Sequence, residues 1–185
     1  MPTYYSGEGD RGYTSLLGSG KVPKYDLRPE TYGVLDEASA ALGLGRASAQ
    51  SQKTNEVLIA VQRDLYRIMA EVAALPEDAA RLDRFSAERL EWMEDEIAAL
   101  GDQIEMPGGF VIPGDSPGGA AIDLARTVVR RAERLVARML HQDLLQNPVI
   151  LAYINRLSSL CFILALWENE HADVDRPTLA KSDRR

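Results

Sequence analysis

The feature that most limits how this chain can fold is its punctuation. From residue 26 to about residue 170, apolar residues recur at spacings of three and four, the period of an amphipathic helix. One long stretch interrupts them, MPGGFVIPGDSPGG at 106–119, whose three prolines and five glycines cannot continue a helix. Phe110, Val111 and Ile112 form an apolar island inside it. Shorter signals divide the rest. Asp26 and Pro29 open a first helix with Tyr32, Leu35, Ala38 and Leu42 on one face, and Gly43 and Gly45 mark its end. A second spans about 52–75, burying Val57, Ile59, Val61, Leu65, Ile68, Val72 and Leu75 before Pro76. A third covers about 77–100, with Leu82, Phe85, Leu90, Met93, Ile97 and Leu100, and stops at Gly101. Ser116–Pro117 and Asn147–Pro148 are paired N-cap and first-turn signals. They start a fourth helix reaching about residue 145 and a fifth reaching about residue 170.

No strand alternation of useful length appears. The expected fold is therefore all-α: a five-helix bundle with ferritin-like up-down packing and an N-terminal glycine-rich loop. Residues 1–25 form the loop, 26–172 the bundle and 173–185 a polar, frayed tail, within a single domain.

Composition removes several function classes. A net charge of −7 and a pI near 4.9 argue against a general nucleic-acid binder. A lone cysteine, Cys161, cannot build a disulfide framework and suits a reducing compartment. Two histidines and that cysteine are too few for a typical structural zinc site. The N-terminus is polar rather than signal-like, and the longest apolar run, 160–167, is far short of the roughly 20 residues that cross a bilayer. A cytoplasmic location without membrane association is expected.

Three segments carry chemistry. The stretch YSGEGDRGYTSLLGSGK at 5–21 holds five glycines and ends in Gly-Lys, which raises the question of a phosphate loop. It is not a P-loop: the required first glycine falls on Ser15, Val22 replaces the metal-binding hydroxyl, and no apolar strand precedes it. In the fourth helix Arg126, Arg130, Arg134 and Arg138 recur at i, i+4 spacing with Arg131 beside them, and Asp123 and Glu133 do not neutralise them. Like charges at that spacing destabilise a helix. The stripe is either a solvated basic face or an anion site in which guanidinium forks grip phosphate oxygens. In the fifth helix, apolar almost all round, Asn155, Ser158 and Ser159 share a face, either as an interhelical hydrogen-bond network or as a pocket lining. Asp36 and Glu37 in the first helix are either surface charges or partners for an arginine of another helix or subunit.

In order along the chain, these blocks resemble the PduO-type ATP:cob(I)alamin adenosyltransferases. The family's T-x-T-G-D-x-G block looks like Ser6-Gly7-Glu8-Gly9-Asp10-Arg11-Gly12, followed by Thr14-Ser15 and Pro23-Lys24. Its Y-G-x-x-D-E block is Tyr32 to Glu37, its R-x-x-x-R-R-A-E-R block is Arg126 to Arg134 without a gap, and its N-R-L-S block is Asn155 to Ser158. The likeness covers residues 5–169.

The resemblance implies transfer of the 5′-deoxyadenosyl group of ATP to the cobalt of cob(I)alamin, giving adenosylcobalamin and triphosphate, at sites between subunits of a homotrimer. It further implies catalytic roles for Arg126, Arg130, Asp36 and Phe110. Phe110 would exclude a ligand from the lower corrin face, and Asp36 would pair with Arg126 across the interface. ATP contacts are implied for Ser6, Gly7, Glu8, Gly9, Asp10, Thr14, Ser15, Lys24, Arg130, Arg131, Glu133, Arg134 and Asn155. Mg²⁺ would come with the nucleotide, held through phosphates and water. A reductase would supply cob(I) and a B12-dependent enzyme would receive the product. A carrier or sensor that binds corrinoid or ATP without chemistry is the alternative, and a purely structural bundle is a third reading.

Departures from the family pattern are specific. Gly7 stands for a cation, Glu8 for a threonine, Ser159 for an aspartate and Asp123 for a common histidine.

Overall fold

Asp26 accepts a hydrogen bond from the Arg28 N–H at 3.0 Å and so caps α1 (Leu27–Ser48). In this computed structural model, which describes residues 4–5, 7–18, 20–79 and 82–181, α1 runs through Gly43 and Gly45 instead of ending there. Packing explains the difference. Gly45 is buried, and a Cβ on it would lie 2.7 Å from Ile122 Cγ1, so the glycine is what lets the two helices approach. A weak intrinsic propensity is overridden by the contact it permits.

Next come α2 (Gln52–Ala73) and the four-residue α3 (Pro76–Ala79), then α4 (Ala87–Gly101). The single third helix expected over 77–100 is therefore two pieces with a non-helical link. Phe85 is the reason. Its ring is 3 % exposed and packs edge-on to Tyr153 at 4.8 Å. Its N–H donates to Glu71 Oε2 at 2.9 Å, and its carbonyl accepts from Asn147 Nδ2 at 2.9 Å. Those bonds use backbone groups that a continuous helix would need for itself.

α5 (Pro117–His141) and α6 (Pro148–His171) start at the predicted signals: Ser116 Oγ accepts from the Gly119 N–H at 3.0 Å and Asn147 Oδ1 from the Val149 N–H at 3.2 Å. α5 stops four residues before the predicted end, and Asp143 just beyond it turns the chain with φ of 55°. On α5 the core stripe is Ile122, Ala125, Val129, Ala132, Val136 and Met139. Leu124 lies 100° round the helix from Ala125 and is 55 % exposed.

Cross-contacts set the directions. Gly45 meets Ile122 while Glu37 meets Arg131, so α1 and α5 are antiparallel. Tyr153 bonds Asp64 and Trp167 bonds Ser51, so α2 and α6 are antiparallel too. Consecutive long helices alternate up and down, and α6 is the central strut. By length and composition α6 could cross a membrane, but its apolar residues form the middle of the bundle core.

The two ends of the bundle differ. At the lower end β1 (Tyr13–Ser15) and β2 (Lys21–Pro23) make an antiparallel hairpin, too short to show as alternation in the sequence. Leu17 bridges to Ala74, and the guanidinium of Arg28 donates to the carbonyls of Val72, Ala74 and Leu144, which ties the hairpin root to the ends of α2 and α5. At the upper end the 106–116 loop pairs with the C-terminal segment. That segment, expected to be frayed, is held through residue 180: the Ile112 N–H donates to the Thr178 carbonyl at 2.7 Å and the Ala180 N–H to the Phe110 carbonyl at 2.8 Å.

Candidate active site along α5

The arginines of α5 are not equivalent. Arg126 is half-buried and its Nε donates to Asp123 Oδ1 at 2.5 Å. Arg131 is exposed and pairs with Glu37 of α1. Arg134 donates through Nη1 to the Arg130 carbonyl at 2.8 Å. The exposed Arg130 guanidinium has no hydrogen bond or ion pair among the described residues. Rising 1.5 Å per residue, α5 sets Arg126, Arg130 and Arg134 about 6 Å apart along one line. Beside it, Glu133 Oε1 accepts from Asn155 Nδ2 at 2.7 Å. The predicted polar face of the fifth helix is resolved by this: Asn155 and Ser159 are exposed, and buried Ser158 only donates to the Asn155 carbonyl.

Above Arg126 lies a cavity of about 180 Å³, lined by Phe110, Val111, Ile112, Phe162, Ala165 and Leu166, with Asp123, Arg126 and Asn169 as its polar wall. Phe110 is 77 % exposed, a large apolar side chain without core packing. Cys161 is buried nearby. Burial pushes its thiol up to about 12, with Arg126 pulling down and Asp123 up, so it stays protonated and is no nucleophile.

At the lower end a second cavity, about 250 Å³, is lined by Glu8, Gly9, Tyr13, Thr14, Ser15 and Lys21. The chain turns tightly here: the Asp10 N–H donates to the Gly7 carbonyl and the Gly12 N–H to the Gly9 carbonyl, with Gly7 and Gly12 at φ of 74° and 78°. Lys24 Nζ lies over Gly9, where a Cβ would approach it to 2.8 Å. Lys21 is not among the ATP contacts implied by the sequence. The hairpin register, which pairs Ser15 with Lys21, turns Lys21 to this pocket, and strands of three residues leave no alternation in the sequence that could have found it. Ser6 lies outside the described residues.

Within one chain these groups do not assemble. The Phe110 cavity meets α5 between Gly119 and Arg126 and the hairpin lies by its far end, about 22–33 Å of helix away. Within the chain Asp36 is exposed and Arg126 bonds Asp123.

The sequence profile for cobalamin adenosyltransferase matches residues 4–168. The chain belongs to this family. It is 34% identical over 175 residues to the corrinoid adenosyltransferase of Citrobacter freundii, covering 94% of this chain and 99% of that one. It is also 34% identical over 169 residues to corrinoid adenosyltransferase PduO of Salmonella typhimurium. That alignment covers 91% of this chain but 50% of the relative, so the chain spans about half its length. Among solved structures, a phenylalanine-to-histidine variant of the PduO-type ATP:corrinoid adenosyltransferase from Lactobacillus reuteri, complexed with cobalamin and ATP, superposes with a TM-score of 0.88. It shares 27% identity and the match covers 97% of both chains. An arginine-to-lysine variant of that enzyme, complexed with ATP, gives a TM-score of 0.86 at 27% identity over 96% of this chain and 99% of that one. The mostly helical family fold, five long helices with a small two-stranded sheet, is the one found here.

Proposed function

We propose that this adenosyltransferase-family chain transfers the 5′-deoxyadenosyl group of ATP to cob(I)alamin. The cobalt of the corrinoid substrate attacks C5′, the cobalt–carbon bond forms, the C5′–O bond breaks, and triphosphate leaves with the electron pair. The observation that carries this reading is Arg130: a guanidinium with no internal partner among the described residues, one turn below an Arg126 that lines an apolar cavity. Charge that grows on the leaving triphosphate meets Arg130 as it develops, which is where electrostatic stabilisation acts on rate. Arg134, Arg131, Glu133 and Asn155 frame the nucleotide beside it. Phe110, exposed at the cavity, takes the lower corrin face and keeps an axial ligand away.

Assembly follows from the separation along α5. The 1–25 loop, with Gly7, Gly9, Asp10, Thr14, Ser15, Lys24 and Lys21, closes on the arginines of a neighbouring subunit and not on its own. Ser6 belongs to the same strap by sequence. A trimer supplies three such junctions, and Asp36 of the partner subunit reaches Arg126. Exposed Leu44 on α1 and Leu124 on α5, 53 % and 55 % exposed, suit burial at that junction. Mg²⁺ enters with ATP, bound through phosphate oxygens and water. The cytoplasm, with a reductase to supply cob(I) and a B12-dependent enzyme to take the product, suits this chemistry.

The test is direct. Protein, ATP, Mg²⁺ and chemically reduced cobalamin should yield the adenosylcobalamin spectrum and stoichiometric triphosphate. A folded protein that changes neither over buffer ends the reading.

A further inference from the structure

We infer that Asp123 is a positioning residue for Arg126, fixing the guanidinium at the junction between the apolar cavity and the arginine stripe. This rests on the reading of Arg126 as part of the site. Three observations support it. Asp123 is a carboxylate only 8 % exposed on a cavity wall that is otherwise mainly apolar, so its charge is stabilised by whatever it holds. What it holds is Arg126, through a single bond from Nε at 2.5 Å. The contact is i, i+3 on one helix, so it forms within the chain before any partner or substrate arrives.

The atom used matters. Arg carries five N–H donors in a rigid fork. Asp123 occupies Nε, and neither terminal nitrogen of Arg126 has a hydrogen bond among the described residues. The fork is thereby left open, aimed by its own stem, for a carboxylate of the partner subunit or for the nucleotide. A flexible arginine would otherwise lose rotamer freedom at the moment of binding. Asp123 takes that loss during folding. The pair is also neutral, so the cavity beside Phe110 gains a polar anchor without a net charge. Asn169, the other polar group of that wall, is engaged by the Ser116 hydroxyl at 2.7 Å and does not compete for Arg126.

The experiment is a double-mutant cycle read in turnover, with ATP, Mg²⁺ and reduced cobalamin at saturating and limiting ATP. Asp123→Ala should lower kcat about 10²-fold, the scale expected when a reacting group is misplaced by about 1 Å. Asp123→Asn, which keeps the shape and one acceptor oxygen but not the charge, should lose about tenfold, and it carries the test if the alanine variant does not fold. Since Asp123 acts only through Arg126, adding Asp123→Ala to Arg126→Ala should cost nothing further. Multiplying losses in the double variant would overturn the inference, because Asp123 would then act alone. Wild-type turnover in both Asp123 variants beside a crippled Arg126→Ala would overturn it as well, leaving the reading of the site intact. Full turnover in Arg126→Ala would remove that reading and this inference together.

Discussion

Arg89 and Arg130 are the same residue type in opposite situations. Arg89 reaches across from α4 to make a bidentate pair with Asp64, with Nε at 3.0 Å from both oxygens and Nη2 at 2.7 Å from Oδ2. Tyr153 completes the cluster, its hydroxyl donating to Asp64 Oδ2 at 2.6 Å, and the Arg89 guanidinium lies 4.0 Å over the Trp92 ring. Burial works against the Arg89 charge, but the bonds and field of Asp64 more than offset it and raise its pKa. Every group in that cluster has an internal partner, so its role is to hold α2, α4 and α6 together. Arg130 sits on a helix whose like charges repel, with no internal partner among the described residues. A local conflict of that kind is expected at a functional or strained site, and the proposed function makes it the anion site.

The largest effect should come from breaking the satisfied cluster. Asp64→Ala takes Asp64 away from the half-buried Arg89 and the buried Tyr153 hydroxyl and should cost about 3–5 kcal/mol in urea unfolding. Arg130→Ala should stay within about 0.5 kcal/mol in the same assay. Its turnover should nonetheless fall about 10²–10³-fold, equivalent to roughly 2.7–4 kcal/mol of transition-state stabilisation. If the two variants unfolded alike, the distinction between structural and functional arginines would collapse.

Alkaline titration sharpens the comparison from the core side. Burial raises the Cys161 thiol from 9.0 to about 12, so the neutral thiol contributes its full share below pH 9. Above that, the unfolded chain ionises first, and stability should fall by about 1.4 kcal/mol per pH unit toward pH 12. Tyr153, raised well above 10.0 mainly by burial and then by Asp64, should steepen the fall beyond pH 10. A Cys161→Ala chain should show a flat stretch between pH 9 and 10. An unchanged slope there would remove the thiol from the account.

The smallest effect belongs to the hairpin. Glu8 lines the lower cavity beside Lys21. Glu8→Gln should tighten ATP by about 0.2–1 kcal/mol, a factor of about 1.4 to 5, and high salt should erase the gain. Weaker binding on neutralisation would instead make Glu8 a ligand of the nucleotide's metal.

The order of the long helices and most core faces were legible in the sequence, because apolar spacing and the Ser116–Pro117 and Asn147–Pro148 signals act over a few residues. The arginine block on α5 was legible for the same reason, as was the helix-free loop around Phe110. Other features depended on groups far away in sequence. Gly45 reads as a stop until Ile122 is placed against it. Residues 77–100 read as one helix until Phe85 is bonded to Glu71 and Asn147. The polar tail reads as frayed until Thr178 meets Asp115, its N–H at 2.8 Å from Oδ2 and its hydroxyl at 2.6 Å from Oδ1.

The sequence by itself determined the bundle and the residue types of the site, since both are written in local pattern. Only tertiary structure decided which arginine holds a partner and which waits for one. It also decided that Asp123 answers Arg126 and that the two cavities stand at opposite ends of α5. Partner choice depends on distances between segments that local pattern does not specify.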